Sequence, residues 1–516
     1  MTAYDMNPNI ERLLLESDIE EEADEGVDDD SQEHLVAPID DDSFDEDEVG
    51  GAYDEQWCDD VQKHDRWTAL ADEYDMECSA SSDCVEPVDF YKLFLNDDIL
   101  GLIVEETNRY ASKNKSQTWS PTSKEEIMNF IALLLQMEVV QLPTLGSYWD
   151  NDRVYGSHRI GRSVMSIERF EKLIKNFHLV DNGPADKVGR LDKITRFLDL
   201  FNEVCQRMCC PGKEVYIEEL LIPVRARFVL KLFYPNDWHR YGIKMIKVIA
   251  KGGYTYRTVI HAGEKSQTPT DTIVGLLDDL LNCGRIAVTD QHATSLDLAQ
   301  ELLRRGTDLL GVVGPNRYGL PVTISISFLK KGYIEAKQNA DGITILKWRN
   351  KTDVIMLSTK HDDSITKEGV PIAVKDYNLV KSYANLAHRP YTPYVRKTTK
   401  WYVRVVLHLL THVAMVNAWK LYSDHTGIPI DLMSFKILVT RTLLPKPKPA
   451  DPTRRLVEMT GAKRATVRRC VGCYKRLSAD FGTFEARQRA RRVHTRCSKC
   501  HKHFCLACFQ TGHKEC

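Results

Sequence analysis

The chain has 516 residues, 43% of them hydrophobic and 28% charged, a composition that suits a soluble globular protein of about three units. No stretch approaches the ~18 consecutive apolar residues of a membrane helix, and the acidic start lacks the basic and apolar regions of a secretory signal, so neither a membrane nor an export role is expected. The net charge of −5 hides a strong polarity: the first sixty residues carry one basic side chain, Arg12, whereas 436–499 is rich in arginine, an asymmetry typical of nucleic-acid binders.

In chain order, residues 1–85 are acidic and poor in periodic apolar residues, so they read as a disordered, solvated leader. Such a leader either is inert or competes with DNA for the basic C-terminus. Folding is expected from about Val88. Ile99, Leu102, Ile103 and Thr107 mark one side of an amphipathic helix. Ser123-Lys124-Glu125-Glu126 opens a second helix through a capping box. A third carries Met165, Ile167, Phe170, Leu173, Ile174 and Phe177. Residues 86–212 therefore read as a helical unit with an aromatic core and no visible chemistry.

The central stretch changes period. Val215-Tyr216-Ile217-Glu218-Glu219-Leu220-Leu221-Ile222-Pro223 and Ile286-Ala287-Val288-Thr289-Asp290-Gln291 are apolar runs that deliver carboxylates. Between them 242–250 and 254–260 alternate as strands, and 271–281 has helical spacing. A helix at Leu296–Arg304 and a strand at 309–313 follow, which makes an α/β unit built on a mixed sheet. Strand-end acids gathered on one sheet can hold Mg²⁺ for phosphoryl transfer; they can equally be the solvent boundary of an ordinary α/β core. Two further strand-like runs, 343–348 and 354–359, are either an insertion or a hairpin extension of the same sheet. A long apolar face over 401–422 predicts another helix.

Half of the fourteen cysteines lie in the last stretch, as Cys470-x2-Cys473, Cys497-x2-Cys500, Cys505-x2-Cys508 and His513-x2-Cys516. Four such pairs supply two tetrahedral Zn²⁺ sites and favour a reducing compartment over disulfides. An interleaved cross-brace would place Cys470, Cys473, Cys505 and Cys508 on one ion and Cys497, Cys500, His513 and Cys516 on the other. His503 rivals His513, and sequential pairing stays open. So small a unit needs its metal to fold. Arg489, Arg491 and Arg492 beside these ligands suit DNA phosphates, while a RING-like protein-interaction module is the competing use.

Several of these segments resemble the piggyBac transposases. Ile217-Glu218-Glu219-Leu220-Leu221-Ile222-Pro223, Arg225-Ala226-Arg227 and Tyr241-Gly242-Ile243-Lys244 are similar to the first catalytic block of that family, and Thr289-Asp290-Gln291-His292-Ala293-Thr294-Ser295 to the second. Leu142-Pro143, Tyr148-Trp149, Arg169-Phe170-Glu171 and Asp181-Asn182 resemble its helical DNA-binding and dimerisation part. The cysteine-rich tail resembles its domain for transposon-end DNA.

The resemblance implies an RNase H-like core over 213–392 with an insertion at about 326–370. It also implies a helical continuation over 393–444, a linker over 445–464 and a zinc-binding domain over 465–516. It implies a nuclear protein acting on double-stranded DNA, with a homodimer as the assembly the dimerisation part allows. Arg396, Lys397 and Lys400 become candidate phosphate contacts.

Catalysis in the family rests on three aspartates holding two metals. Here Glu218 stands for the first and Asp290 for the second. The third block, from Tyr377-Asn378, has no carboxylate near Tyr383 to Asn385, which leaves Asp376 as a candidate outside the motif. A competent Mg²⁺ pair is therefore not expected. The resulting expectation is a transposase-derived, domesticated DNA-binding protein, impaired or inactive in strand cleavage and transfer; the alternative is an active transposase or endonuclease.

Overall fold

The structure is a computed structural model, described here for residues 57–67, 77–78, 83–114, 119–150, 164–181, 191–223, 232–233, 241–261, 268–315, 317–387, 400–445, 455–459 and 467–513. It is an α/β protein with a large mixed sheet, a helical layer and a small cysteine-rich tail.

Among the described residues five α-helices precede the main strands: α1 (Pro87–Leu93), α2 (Asp97–Lys113), α3 (Lys124–Val139), α4 (Ile167–Asn176) and α5 (Asp192–Met208). Three starts are fixed by side-chain caps. Asn96 accepts from the Ile99 N–H, Ser123 from Glu126 and Ser166 from Arg169, each satisfying a backbone donor that the helix leaves unpaired. The expected aromatic core is present: Phe170 and Phe177 are fully buried in one cluster with Phe90, Phe94, Phe130, Phe197 and Phe201.

That cluster includes residues from far along the chain. The helix Trp401–His408, a π-helical turn at Leu409–Val413 and the helix Ala414–Thr426 run through it, and 401–418 is buried on every side. A helix buried all round is a core helix, and this one takes Arg404, His408, His412 and Asn417 inside with it. The expected single apolar face over 401–422 was thus an underestimate.

The sheet comprises β1 (Trp57–Cys58), β2 (Glu214–Pro223), β3 (Leu232–Phe233), β4 (Tyr241–Ala250), β5 (Tyr254–His261), β6 (Ile286–Thr289), β7 (Asp308–Val312), β8 (Ile334–Asn339), β9 (Thr344–Arg349) and β10 (Asp353–Ser358). Their order is β1-β8-β9-β10-β7-β6-β2-β4-β3, with β5 also paired to β4. β2, β4 and β5 are antiparallel neighbours, while β6 and β7 run parallel to β2.

Strand alternation splits the buried side chains between two faces. Val215, Ile217 and Ala287 pack with α6 (Pro269–Leu276) and α7 (Leu296–Arg304). Tyr216, Val288, Leu310 and Met356 pack with Val374, Tyr377 and Val380 of α8 (Ile372–Lys381).

Residues 57–67, assigned above to the solvated leader, instead dock on the sheet edge: Trp57 is buried, Cys58 pairs with Gln338, and Arg66 donates to the Thr359 and Asp341 carbonyls. An exposed strand edge offers unpaired backbone groups, and this segment fills them. Leader residues 1–56 lie outside the described residues. Strands β8 to β10 join the sheet through Met356↔Val312 and Leu357↔Gly311, so their hydrogen bonding is that of an extension of the same sheet.

Candidate functional site

The two acids occupy adjacent strands, but only Asp290 follows a strand end; Glu218, expected at one, lies inside β2 (Glu214–Pro223) because its pairing with β4 continues past it. Ile217 pairs with Thr289 across the parallel β2–β6 ladder, so Glu218 and Asp290 are the next positions beyond it, on the face covered by α8. Their chemistry differs sharply. Glu218 is 6% exposed, and its Oε2 lies 2.6 Å from Nζ of Lys247, a fully buried lysine at the directly opposite position of β4. Glu219 is engaged in the same way by Lys244, at 2.6 Å.

Asp290 turns on itself. Its Oδ1 accepts the N–H groups of His292 (3.1 Å) and Ala293 (3.2 Å), which shapes the loop after β6. A hydrogen bond of 2.8 Å between the Thr289 and Thr294 hydroxyls locks that loop, tucked against Gly311 of β7.

Among the described residues no carboxylate completes the pair. The sheet-facing residues of α8 are Ala373, Val374, Tyr377 and Val380. Tyr377 shares a hydroxyl hydrogen bond with Tyr216; burial, reinforced by the nearby Asp290 charge, pushes its phenol up to about 12. Burial likewise raises Tyr216, with Tyr377, Asp290 and Glu218 adding to it.

Asp376, the candidate third acid, meets His361 Nε2 at 3.2 Å instead, and that hydrogen bond holds its carboxyl below the usual range. His361 is in turn held by Ser358 Oγ at 2.9 Å from Nδ1. Tyr383 and Ala384, where the motif would place its aspartate, are buried against the sheet. Among the described residues Glu218, Asp290 and Asp376 do not converge into a three-donor cluster. The sequence reading missed Lys247. The signal was there: a lysine at an inward position of the apolar run Met245-Ile246-Lys247-Val248 needs a buried partner.

Lys400 also departs from its expected role. Its Nζ donates to the carbonyls of Lys175 (2.7 Å) and Phe177 (3.1 Å) and sits 4.0 Å over the Tyr110 ring. It caps the C-terminus of α4, whose last carbonyls have no partner within the helix. Arg396 and Lys397 lie outside the described residues.

In the tail two groups of metal-type donors gather: Cys470, Cys473, Cys505 and Cys508, and separately Cys497, Cys500 and His513. This is the interleaved arrangement, with His513 and not His503 in the second group; Cys516 lies outside the described residues. Sulfur separations in the first group are 3.7 Å (Cys470–Cys505), 3.8 Å (Cys473–Cys505) and 3.5 Å (Cys473–Cys508). A tetrahedral Zn²⁺ with bonds of ~2.3 Å sets its sulfurs about 3.8 Å apart, so the cradle fits the ion.

The backbone prepares it. Burial alone would raise the Cys470 thiol, but the N–H groups of Cys473 and Cys505 point at its sulfur and bring it down to about 7. Gly472 makes the turn close: a Cβ there would lie 2.7 Å from that of Cys508. In the second group Cys500 Sγ lies 3.2 Å from His513 Nε2, and the imidazole stacks on Phe504 at 4.2 Å.

Beside the clusters, Arg468–Arg469 pairs with Arg492–Val493, setting Arg469 opposite Arg492. Arg468, Arg469, Arg491 and Arg492 are all exposed. Like charges facing each other across a ribbon repel, which an anion would relieve. Arg489 is engaged by Glu485 at 2.8 Å and lies over Phe481.

A family model described as Transposase IS4 matches residues 86–419. The chain is 22% identical over 460 residues to human PiggyBac transposable element-derived protein 3, covering 80% of this chain and 75% of that one. To human PiggyBac transposable element-derived protein 5 it is 23% identical over 374 residues, 65% and 70% of the two chains. Its fold is similar to a piggyBac transposase solved by cryo-EM as a synaptic complex with hairpin DNA, with a TM-score of 0.63, 23% identity, and 70% and 80% coverage. The chain belongs to the piggyBac transposase family.

Proposed function

We propose that this piggyBac family member is a transposase-derived DNA-binding protein, impaired or inactive in strand cleavage and transfer. The carrying observation is the Glu218–Lys247 pair. A carboxylate takes a divalent ion through its negative charge, and here a buried ammonium 2.6 Å away already compensates that charge. Bringing Mg²⁺ to Glu218 would place a divalent charge beside Lys247 or strand that lysine unpaired, at a cost of about 3–5 kcal/mol. Tyr377 at the α8 position facing Asp290 supports the same reading. The run of three antiparallel strands continued by two parallel ones supports an RNase H-like core, retained here as architecture.

The binding half rests on the tail. Two Zn²⁺ ions, held by Cys470, Cys473, Cys505 and Cys508, and by Cys497, Cys500, His513 and Cys516, would supply structure only, fixing the arginine ribbon. Arg468, Arg469, Arg491 and Arg492 then meet the phosphates of a duplex. The hairpin DNA named for the similar solved complex supports DNA as the partner class. A nuclear location and a homodimer formed through the helical part belong to the same proposal.

The test uses zinc-loaded, full-length protein. Duplex binding should weaken steeply with salt, and replacing the four ribbon arginines with glutamine should flatten the log–log slope by about 0.9 for each phosphate that is no longer neutralised. Duplex incubated with Mg²⁺ or Mn²⁺ should stay uncut. Metal-dependent cleavage that Asp290→Asn abolishes would instead establish an active transposase or endonuclease. A tail that contributes nothing to duplex affinity would favour the protein-interaction module.

A further inference from the structure

The two donor groups of the tail are not equally closed. In the first, Cys470, Cys505 and Cys508 are buried. The partly exposed Cys473 has the Arg476 guanidinium beside it, 4.0 Å from its sulfur and 3.8 Å from that of Cys508. In the second group Cys497 and His513 are buried and Cys500 is partly exposed.

Cys500 and His513 also line a cavity of about 230 Å³, together with Phe504, Lys475 and Lys502. That is below the ~300 Å³ at which sites for drug-sized ligands begin, so it suits a solute of a few heavy atoms. One wall is held firmly. The His513 imidazole stacks on Phe504 at 4.2 Å, lies 5.7 Å from the Phe509 ring and meets Cys500 Sγ through Nε2 at 3.2 Å. The other wall is cationic. Lys475 and Lys502 are both exposed, each two residues beyond a cysteine of a different group. A cleft lined by charge of one sign concentrates solutes of the other.

A cysteine that holds a metal does so as the thiolate, which is also its nucleophilic form. Every cysteine of the two groups is then a nucleophile, and access decides which one reacts. At Cys473 a reagent has to displace Arg476. At Cys500 it finds a cavity whose lysines draw in negative charge.

We propose that Cys500 is a modification site, reached through this cavity by small, negatively charged electrophiles; the proposal rests on the zinc-binding reading of the tail. With a haloacetate, the Cys500 sulfur forms a bond to the methylene carbon as the carbon–halogen bond breaks and halide leaves with the electron pair. The thioether left behind is neutral, so the second group loses an anionic donor and with it the hold on its metal. The first group stays intact.

The test treats zinc-loaded, full-length protein with iodoacetate or iodoacetamide, which differ chiefly in charge. Zinc release is read with a weak chromophoric chelator, and the modified cysteines are mapped by peptide mass spectrometry. One of the two ions should leave in step with alkylation at Cys500, before Cys470, Cys473, Cys505 or Cys508 reacts. The iodoacetate-to-iodoacetamide rate ratio at Cys500 should exceed that of free cysteine by about threefold to tenfold at low salt. It should fall towards the free-cysteine value as salt screens the lysines. Lys475→Gln with Lys502→Gln, both at exposed positions and neither a metal donor, should abolish the excess. Earlier reaction at the first group, or a ratio equal to that of free cysteine, overturns the site; so does an excess that neither salt nor the variants reduce. Two ions released together remove the proposal and leave the zinc-binding reading standing. Protein that holds no zinc before any reagent is added removes both.

Discussion

The sheet acids and the cysteine tail both bring together donors suited to a metal, and they answer the same electrostatic problem in opposite ways. At the sheet, Glu218 is neutralised from within by Lys247, Asp376 is held by His361, and Tyr377 fills the place facing Asp290. In the tail, four sulfurs converge at separations of 3.5–3.8 Å, met by backbone N–H groups and, at the outer edge, by the exposed Arg476 guanidinium, 3.8 Å from Cys508 Sγ and 4.0 Å from Cys473 Sγ. Convergence of like donors is unfavourable without an ion, so it marks a cradle; donors with their own countercharges mark a closed structure. Residue type alone does not separate the two.

Removing the metal is the most forceful way to break this comparison. A chelator strong enough to strip Zn²⁺, or Cys473→Ser with Cys505→Ser, should unfold residues 467–513. Structural zinc supplies about 10–16 kcal/mol of apparent binding energy to units of this size. Limited proteolysis of the full chain should then cut the tail rapidly while the sheet and helical core remain protected. Equal protection with and without metal would show that the tail folds on its own contacts.

At the sheet the corresponding experiment removes a cation. Lys247→Met leaves Glu218 buried without its partner and should cost about 3–5 kcal/mol, read from the urea midpoint. Lys247→Met together with Glu218→Gln should recover most of the loss, because the charge that needed pairing is gone. A single variant as stable as the parent would mean that Glu218 is not committed to Lys247, and would reopen it as a metal ligand.

Much of this contrast was legible in the sequence, and what was hidden was pairwise. The ligand pairs, the place of Asp290 just past a strand and the lack of an acid near Tyr383 all follow from local spacing, whereas interleaving was one of two pairings left open and the length of the strand beyond Glu218 was not foreseen. Lys247 was read only as one residue in an alternating strand, since its meaning depends on which strand lies opposite. Lys400 read as a candidate phosphate contact because nothing nearby in sequence announces that 175 and 177 end a helix beneath it. Trp57 went unnoticed because acidic neighbours outweighed it, although a single buried tryptophan and a row of edge hydrogen bonds were enough to dock the segment. The core helix over 401–418 was legible as apolar but not as buried all round, which depends on helices more than two hundred residues earlier.

A smaller change probes the Asp290 loop without touching charge. Gly311→Ala would set a Cβ 2.7 Å from Thr289 Oγ1 and closer still to Thr294, the pair that locks the loop. Overpacking of this kind costs about 1–3 kcal/mol. If the loop yields instead, stability should hold while amide exchange at 292–294 accelerates. Adding Thr294→Ser, which removes one of the crowding methyl groups, should restore part of any loss.

The smallest effect lies in the helical layer, where a cation is held by carbonyls and not by a carboxylate. Burial, with Lys193 adding a little, pushes the Lys400 ammonium down to about 7. In the unfolded chain a lysine titrates near ~10.4. Between those values the unfolded chain binds more protons than the folded one, so stability should rise as pH rises from about 7 towards 10. The two carbonyl hydrogen bonds and the Tyr110 face favour the charged form and oppose the effect, which keeps the expected gain by pH 9 to about 1 kcal/mol. Because the tail thiols titrate in the same range, the informative quantity is the difference between the parent and Lys400→Met, whose stability should lack this component. A parent that instead loses stability relative to Lys400→Met over that interval would show the ammonium stays charged in the folded state, and that capping α4 outweighs its burial.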